Sequence, residues 1–264
     1  MKILVTVKEV VEVDDDFEIV DDAVDERFLG YALNEWDDYA IEEAVQARED
    51  GIADEVVAVT IGPERSEETI RIALAKGADR AVRVWDDTLA ETRFTDVETR
   101  ADVLGAVVEA EDPDLVLSGV QAGDDAFGAT GVSLAETVEY EWAAVVNQLE
   151  LDDNGRQASV HRELEGGLEE LTDVALPAVL SIQTGINDPR YASLRGIRQA
   201  QGKELAVHTL ADLGLDPSTL DDGLTLTGLS RPETDSDATV FEGEAGETAD
   251  ELATALRDVG VGAE

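Results

Sequence analysis

Apolar residues along the chain fall into short runs separated by longer stretches with helical spacing. Ile3-Leu4-Val5-Thr6-Val7 is apolar at nearly every position, as a strand covered on both faces requires. An acidic loop with the alternation Phe17-Glu18-Ile19-Val20 follows. A helix is then predicted over about Glu35 to Arg48, with Ile41, Ala44 and Val45 on one face. Asn34 stands at its N-cap, and Asp37 lies in a capping-box-like position three residues on. Glu55 to Ile61 is a second core strand. Gly62-Pro63 turns it into a helix capped by Ser66, which carries Ile70, Ala73 and Leu74 and ends at Lys76-Gly77. Strand Arg80 to Trp85, helix Val97 to Glu111, strand Asp114 to Ser118 and helix Ala129 to Val138 continue the alternation. This order predicts a parallel, doubly wound sheet.

From Tyr140 the grammar changes. Two alternating segments flank Asp152-Asp153-Asn154-Gly155, and Asn-Gly is a strong hairpin signal. A second turn sits at Gly166-Gly167, and Pro177-Ala178-Val179-Leu180-Ser181 returns to the core. The expected fold class is α/β: a doubly wound, mostly parallel sheet with added antiparallel hairpin strands and a C-terminal arm. After residue 203 the pattern weakens. Glu233 to Glu251 holds eight acids and no base, which reads as an extended arm. A last helix, Ala249 to Val259, bears Leu252, Leu256 and Val259. From the pattern alone it packs either on its own domain or on a partner. No internal repeat is visible.

With 264 residues, 43% of them hydrophobic, the chain can bury a real core. It has no cysteine, which excludes disulfides and thiol chemistry, and only His161 and His208 are left for a histidine metal centre. Both histidines read as surface residues. No apolar run reaches the roughly 18 residues of a membrane span. The N-terminal run reads as a strand and is too short for a signal peptide, so a soluble, cytoplasmic chain is expected.

Charge changes the picture most. There are 62 acidic and 19 basic residues, for a net charge of -43, and the only lysines are Lys2, Lys8, Lys76 and Lys203. Such a surface repels itself until salt screens it, and at molar salt the Debye length is about 3 Å. A halophilic, solvated surface is the plain reading; a cation store or a basic partner is the functional one. Nucleic-acid binding is disfavoured, because phosphates need a basic footprint. One stretch departs from the trend: Arg190, Arg195, Arg198 and Lys203 face a single acid, Asp188, between Gly185 and Lys203.

In an open parallel sheet a ligand lies beyond the carboxyl ends of the strands. Thr6-Val7-Lys8, Asn34 to Asp37, Thr60 to Pro63 and Ser118 to Thr130 converge there. The last segment joins a strand to a helix and contains Gly119, Gly123, Gly128 and Gly131. Two readings stay open. The glycines could let backbone N–H groups approach a phosphate, with Thr130 adding a hydroxyl; or this is an ordinary turn with Asp124 and Asp125 on the surface. Neither a Gly-x-Gly-x-x-Gly nor a Walker lysine is present. Asn34 either caps its helix or bonds a base or ribose. Trp36 either stacks on a ligand or, the better reading, fills the core. No catalytic constellation and no metal ligand set emerges, which suits a carrier or half of a site better than a hydrolase.

Six segments in order resemble a known family. They are Val5-Thr6-Val7-Lys8-Glu9-Val10; Asn34 with Ala40-Ile41-Glu42-Glu43-Ala44-Val45; and Gly62-Pro63 with Glu68 to Leu74 and Gly77 to Arg80. Next come Gly119 with Gln121-Ala122, Asp124-Asp125 and Thr130-Gly131. Arg162 to Glu169 with Leu176 to Val179, and Asn187 to Leu194, complete the set. Over nearly its whole length the chain resembles the β subunit of electron transfer flavoprotein. The resemblance implies an αβ heterodimer in which the α subunit holds most of the FAD. It implies AMP in the β subunit, or a second FAD in electron-bifurcating members. It also implies electron transfer from acyl-CoA and related dehydrogenases to a membrane quinone reductase, with no acid–base chemistry of the subunit's own.

Matched by position, the nucleotide site falls on Thr6, Asn34, Glu35, Trp36, Asp37, Ile61, Gly119, Gln121, Ala122, Gly123, Asp124, Gly128, Ala129 and Thr130. The partner loop falls on residues 185–203, with Tyr191, Leu194, Arg195 and Arg198, and Leu194 matches the apolar anchor. The division implied is a nucleotide-binding domain of residues 1–203 and an arm of residues 204–264 that packs on the partner subunit. Gly128 and Ala129 stand where AMP-binding members have amide side chains, so contacts there come from backbone N–H, while Thr130-Gly131 leans towards AMP. An extra residue between Leu171 and Pro177 implies a shifted or bulged strand. A universal-stress-type nucleotide module shares the sheet logic, but the Gly166-Gly167 hairpin and the long C-terminal stretch argue against it.

Overall fold

The computed structural model describes residues 1–92, 95–152, 154–217, 223–232 and 238–261. In chain order, β1 (Lys2–Thr6) leads to β2 (Glu9–Val13), β3 (Ile19–Val20), β4 (Ala23–Val24) and β5 (Leu29–Leu33). Then come α1 (Glu35–Glu49), β6 (Glu55–Ile61), α2 (Ser66–Lys76), β7 (Arg80–Val84), α3 (Asp87–Glu91) and α4 (Val97–Glu111). β8 (Leu115–Gly119), α5 (Thr130–Thr137), β9 (Glu141–Leu151), β10 (Gln157–Leu164), β11 (Leu168–Ala175) and β12 (Ala178–Ile182) follow. The chain closes with α6 (Leu194–Ala200), β13 (Leu205–His208) and α7 (Ala245–Asp258).

Nine strands form one sheet in the order β11-β10-β9-β12-β8-β1-β6-β7-β13. From β9 to β13 every neighbouring pair is parallel; β10 and β11 are antiparallel additions. The period of two along each strand assigns side chains to two cores. Ile3, Val5, Val56, Ala58, Leu115, Leu117 and Leu180 pack under α1 and α2. Leu4, Val57, Val59, Val116 and Val179 face the other way, onto Val103, Leu104 and Val107 of α4 and Leu134 of α5. From β1 the chain builds outward through β6 and β7 on one side. It then returns to lay β8 on the other, so the order reverses between β1 and β8.

The alternating α/β pattern and the two hairpin turns are where the sequence places them, although Asp153 of the first turn lies outside the described residues. Several local expectations are corrected. The acidic loop contains a separate antiparallel pair, β2 with β5, and a small one, β3 with β4. Ser66 is the first helical residue rather than the cap; its hydroxyl donates to Glu9 Oε1 at 3.1 Å. β11 pairs with β10 in unbroken register, so the extra residue before Pro177 produces no bulge there. The irregularities lie in β9 instead, opposite His161/Arg162 and Leu180/Ile182, and Val145 takes a positive φ of 61°. His161 is mostly buried on β10, not a surface residue, and its Nε2 lies 3.4 Å from Glu169.

The expected boundary at residue 203 moves. β13 extends the sheet beside β7, and Leu210 is fully buried. The first compact unit runs over Met1–Leu229 and the second over Ser230–Glu264. Within the second unit α7 starts four residues before the predicted Ala249, because Ala245-Gly246 carry no apolar period to announce it. Leu252 and Leu256 are exposed along this helix. Residues 233–237 of the acidic stretch lie outside the described residues.

Leu180 is fully buried, whereas Leu171 is 80% exposed. Leu180→Ala should lower the free energy of unfolding by about 2–5 kcal/mol. Leu171→Ala should change it by about 0.5 kcal/mol or less. Urea unfolding of both variants at one salt concentration checks this; equal losses would contradict the core described.

Candidate functional site

The reversal between β1 and β8 leaves backbone N–H groups at the two strand ends without a strand to pair with. Asp37, in the first turn of α1, accepts both. Its Oδ2 takes the Lys8 N–H at 2.7 Å and its Oδ1 the Gly119 N–H at 3.0 Å. A Cβ on Gly119 would lie 2.5 Å from Asp37 Oδ1 and 2.6 Å from Trp36 Cβ, so close approach requires glycine there. Asp37 therefore ties α1 to two strands and forms no capping box. Asn34 occupies the N-cap position but makes no side-chain cap bond. Its Nδ2 donates to the Gln121 carbonyl at 2.9 Å, and its Oδ1 accepts the Gly123 N–H at 3.3 Å. Both polar ends of Asn34 thus shape the glycine-rich loop.

Beyond these strand ends lies a cavity of about 220 Å³. Of the sequence-predicted residues, Thr6, Asn34, Asp37, Ile61, Gly119, Gln121, Ala122, Gly128 and Thr130 line it. Glu35, Trp36, Gly123, Asp124 and Ala129 do not. Trp36 is half-buried and is neither stacked on the cavity nor a core residue; its Nε1 donates to Gln183 Oε1 at 3.2 Å. Tyr191, Leu194, Arg195 and Arg198 lie outside the cavity lining, on and beside α6, where all four are exposed.

Lys8, Thr60 and Ser118, which belong to the segments the sequence brings together there, also line the cavity, as do Trp85 and Arg100, which it did not point to. Arg100 carried a signal. It sits in the first turn of α4, where the helix dipole favours an acid. Its Nη1 donates to Asp125 Oδ2 at 2.6 Å, and Lys8 Nζ reaches the same oxygen at 2.7 Å. Asp125 is thus engaged inside the loop, not displayed on the surface. Ser118 Oγ is buried without a hydrogen-bond partner, and a Cβ on Gly131 would collide with it. Cations, a spare hydroxyl and close backbone at the start of α5 suit an anionic ligand with polar edges. Among the described residues no cluster of three or more His, Cys, Asp or Glu could hold a metal ion. No described helix is long and apolar enough to cross a membrane.

Residues 23–213 match the family described as "Electron transfer flavoprotein domain". The chain is 45% identical over 255 residues to "Electron transfer flavoprotein subunit beta" of Methylophilus methylotrophus, covering 94% of this chain and 95% of that one. It is 38% identical over 218 residues to the protein of that name from Bradyrhizobium diazoefficiens, covering 82% and 84%. With the Sus scrofa protein of that name it shares 36% over 230 residues, covering 87% and 86%. The chain belongs to the electron transfer flavoprotein β-subunit family. Its strand-end cavity therefore lies in a subunit of an electron transfer flavoprotein.

Burial pushes the Asp37 carboxyl up to about 7, against the pull of N–H groups from Lys8 and Gly119 and the side chain of Asn34. A carboxyl whose folded value lies above the unfolded value of about 3.9 is stabilising when protonated. Its contribution is fully present below pH 4 and is lost as pH rises towards 7. Across that range wild type should lose stability relative to Asp37→Asn, by on the order of a few kcal/mol. Urea unfolding of both proteins at pH 4, 5.5 and 7 measures the drift; a constant difference would mean that Asp37 ionises normally.

Proposed function

We propose that this chain is the nucleotide-binding half of a heterodimeric electron carrier. In this reading the partner is an α subunit, consistent with the relatives' designation as β subunits. That subunit holds most of the FAD, which takes up and releases electrons. This chain holds AMP at the ends of β1, β6 and β8 as a brace. The observation that carries the reading is the meeting of Lys8, Arg100, Thr130 and the Gly119–Ala122 backbone around one cavity at the strand-order reversal. The volume of about 220 Å³ is small even against the roughly 300–1,000 Å³ of ordinary small-molecule sites, so a mononucleotide suits it better than the larger FAD.

The second surface supports docking to dehydrogenases of the acyl-CoA type. Tyr191 is 98% and Leu194 80% exposed, with Arg195 and Arg198 beside them. An exposed apolar anchor ringed by cations suits a pocket with an acidic rim. Electrons would pass on to a membrane quinone reductase, and the chain would work in a salt-rich cytoplasm, where its net charge of -43 is screened.

Co-expression with an α subunit should give a yellow 1:1 complex. Acid extraction should then release one FAD and one AMP per heterodimer. Two FAD and no AMP would point to the bifurcating type, and no nucleotide beyond one FAD would remove the AMP assignment. Leu194→Ala should slow electron transfer from the dehydrogenase about tenfold or more at limiting carrier, with flavin content unchanged. Wild-type rates would exclude the anchor role.

A further inference from the structure

The two cations of the strand-end cavity are already gripped by acids of the loop that lines it. Asp125 Oδ2 accepts from Lys8 Nζ at 2.7 Å and from Arg100 Nη1 at 2.6 Å, while its Oδ1 accepts the Phe127 N–H at 3.2 Å. Asp124 Oδ1 takes another bond from Lys8 at 2.5 Å. The Asp125 side chain is nearly buried. Burial acts to raise its carboxyl, but the Lys8 bond and the Arg100 charge outweigh this and hold it below the usual range. Two cations therefore face two acids, and their formal charges cancel.

A phosphomonoester brings about 1.5–2 negative charges at pH 7. Set beside intact Asp124 and Asp125, it would meet no net attraction, in a partly buried place that salt screens weakly. Lys8 and Arg100 keep N–H donors to spare, but their positive charge is freed for it only as the loop carboxylate draws away. The donor set on Asp125, two cations and a backbone N–H, is also one that suits phosphate oxygens. The loop has room to yield. Gly123 and Gly128 flank the acidic pair, nothing lies within 4 Å of a Cβ built on Gly123, and Gly128 takes a positive φ of 64°.

We propose that Asp125 is a phosphate surrogate, exchanging with the phosphate of a nucleoside monophosphate on Lys8 and Arg100. Asp125 thereby sets how strongly the site distinguishes a nucleotide from its nucleoside. Its charge lowers affinity for the phosphorylated ligand and leaves the base and ribose contacts alone. The inference rests on the nucleotide reading of the cavity.

The test is calorimetric titration of the nucleotide-depleted αβ complex with AMP and with adenosine at one salt concentration. Asp125→Asn should tighten AMP about tenfold and move adenosine less than about twofold. Asp124→Asn should give a smaller gain in the same direction, because Asp125 still holds Arg100. Arg100→Gln should weaken AMP about tenfold, again sparing adenosine. The proposal is overturned if Asp125→Asn weakens AMP, or if it shifts both ligands by one factor, since the carboxylate is then only a brace for the loop. If that variant does not assemble, the AMP-to-adenosine ratios of Asp124→Asn and Arg100→Gln decide by the same criterion. A wild-type complex with full flavin that binds neither ligand would remove the nucleotide reading itself, and the surrogate with it.

Discussion

A doubly wound sheet opens a crevice where its strand order reverses, and the backbone leaving the two strand ends there has N–H groups that need acceptors. In this chain a single carboxylate, Asp37, meets that need for both β1 and β8. The rest of the site depends on this tether. It fixes the first turn of α1, demands glycine at position 119, and directs the chain after Thr6 so that Lys8 reaches the loop opposite. Asn34, three residues earlier, holds that loop through its own two polar ends. The crevice thus has fixed walls on the α1 side and a glycine-rich, adjustable wall across from it. A buried carboxylate is expensive to ionise, and the fold accepts this because two unpaired N–H groups would be worse.

The scarcity of basic residues sharpens the meaning of each one. Most of the cations brace the fold. Arg80 bridges Glu55 and Glu111, Arg48 holds Asp79, and Lys76 pairs with Asp38. These pairs pin helices to strand ends or, for Lys76 and Asp38, α2 to α1, and most are partly buried, so salt weakens them less than it weakens surface repulsion. The acidic excess outside them is a solvated coat. Against that background, Lys8 and Arg100 are gathered at the cavity on the acids of its loop, while Arg195 and Arg198 of α6 point outward. Among the described residues neither Arg195 nor Arg198 has an acid within ion-pair distance.

The parallel sheet was legible because short apolar runs alternate with stretches of helical spacing from Asn34 to Val138, and Asn154-Gly155 and Gly166-Gly167 announce the hairpins. β13 was not, because Leu205-Ala206-Val207-His208 is short and its burial comes only from lying beside β7. β2 was hidden by its acids Glu9 and Glu12; its pairing with β5, not its composition, makes it a strand. At the cavity, sequence order located the loop and the strand ends, because chain topology decides both. It did not reveal Arg100, which reaches the cavity from a helix 25 residues before its partner Asp125. It also misread Asn34 and Asp37. A capping box satisfies helix N–H groups locally, but here the freed strand ends compete for the same side chains and win.

The basic island resolves into two pairs with different tasks. Arg190 bonds Glu42 and Glu49 of α1, and Lys203 donates to the carbonyls of Leu74 and Ala78, so both ends of the segment are fastened to the body. Between them α6 is capped by Ser193 and lies against α2, where Gly196 meets the Ala75 carbonyl too closely for any Cβ. Leu194 and Tyr191 are thus exposed on a rigid mount. Rigid presentation removes most of the ordering entropy that a flexible loop would lose on docking. The contact can then be small, and a small contact with two outward arginines speeds encounter without prolonging residence. Under the proposed docking role, that combination suits a carrier that must part from each partner once the electron has moved. Of the segment's four cations, Arg190 and Lys203 are thus spent on holding it to the body, and Arg195 and Arg198 are left outward.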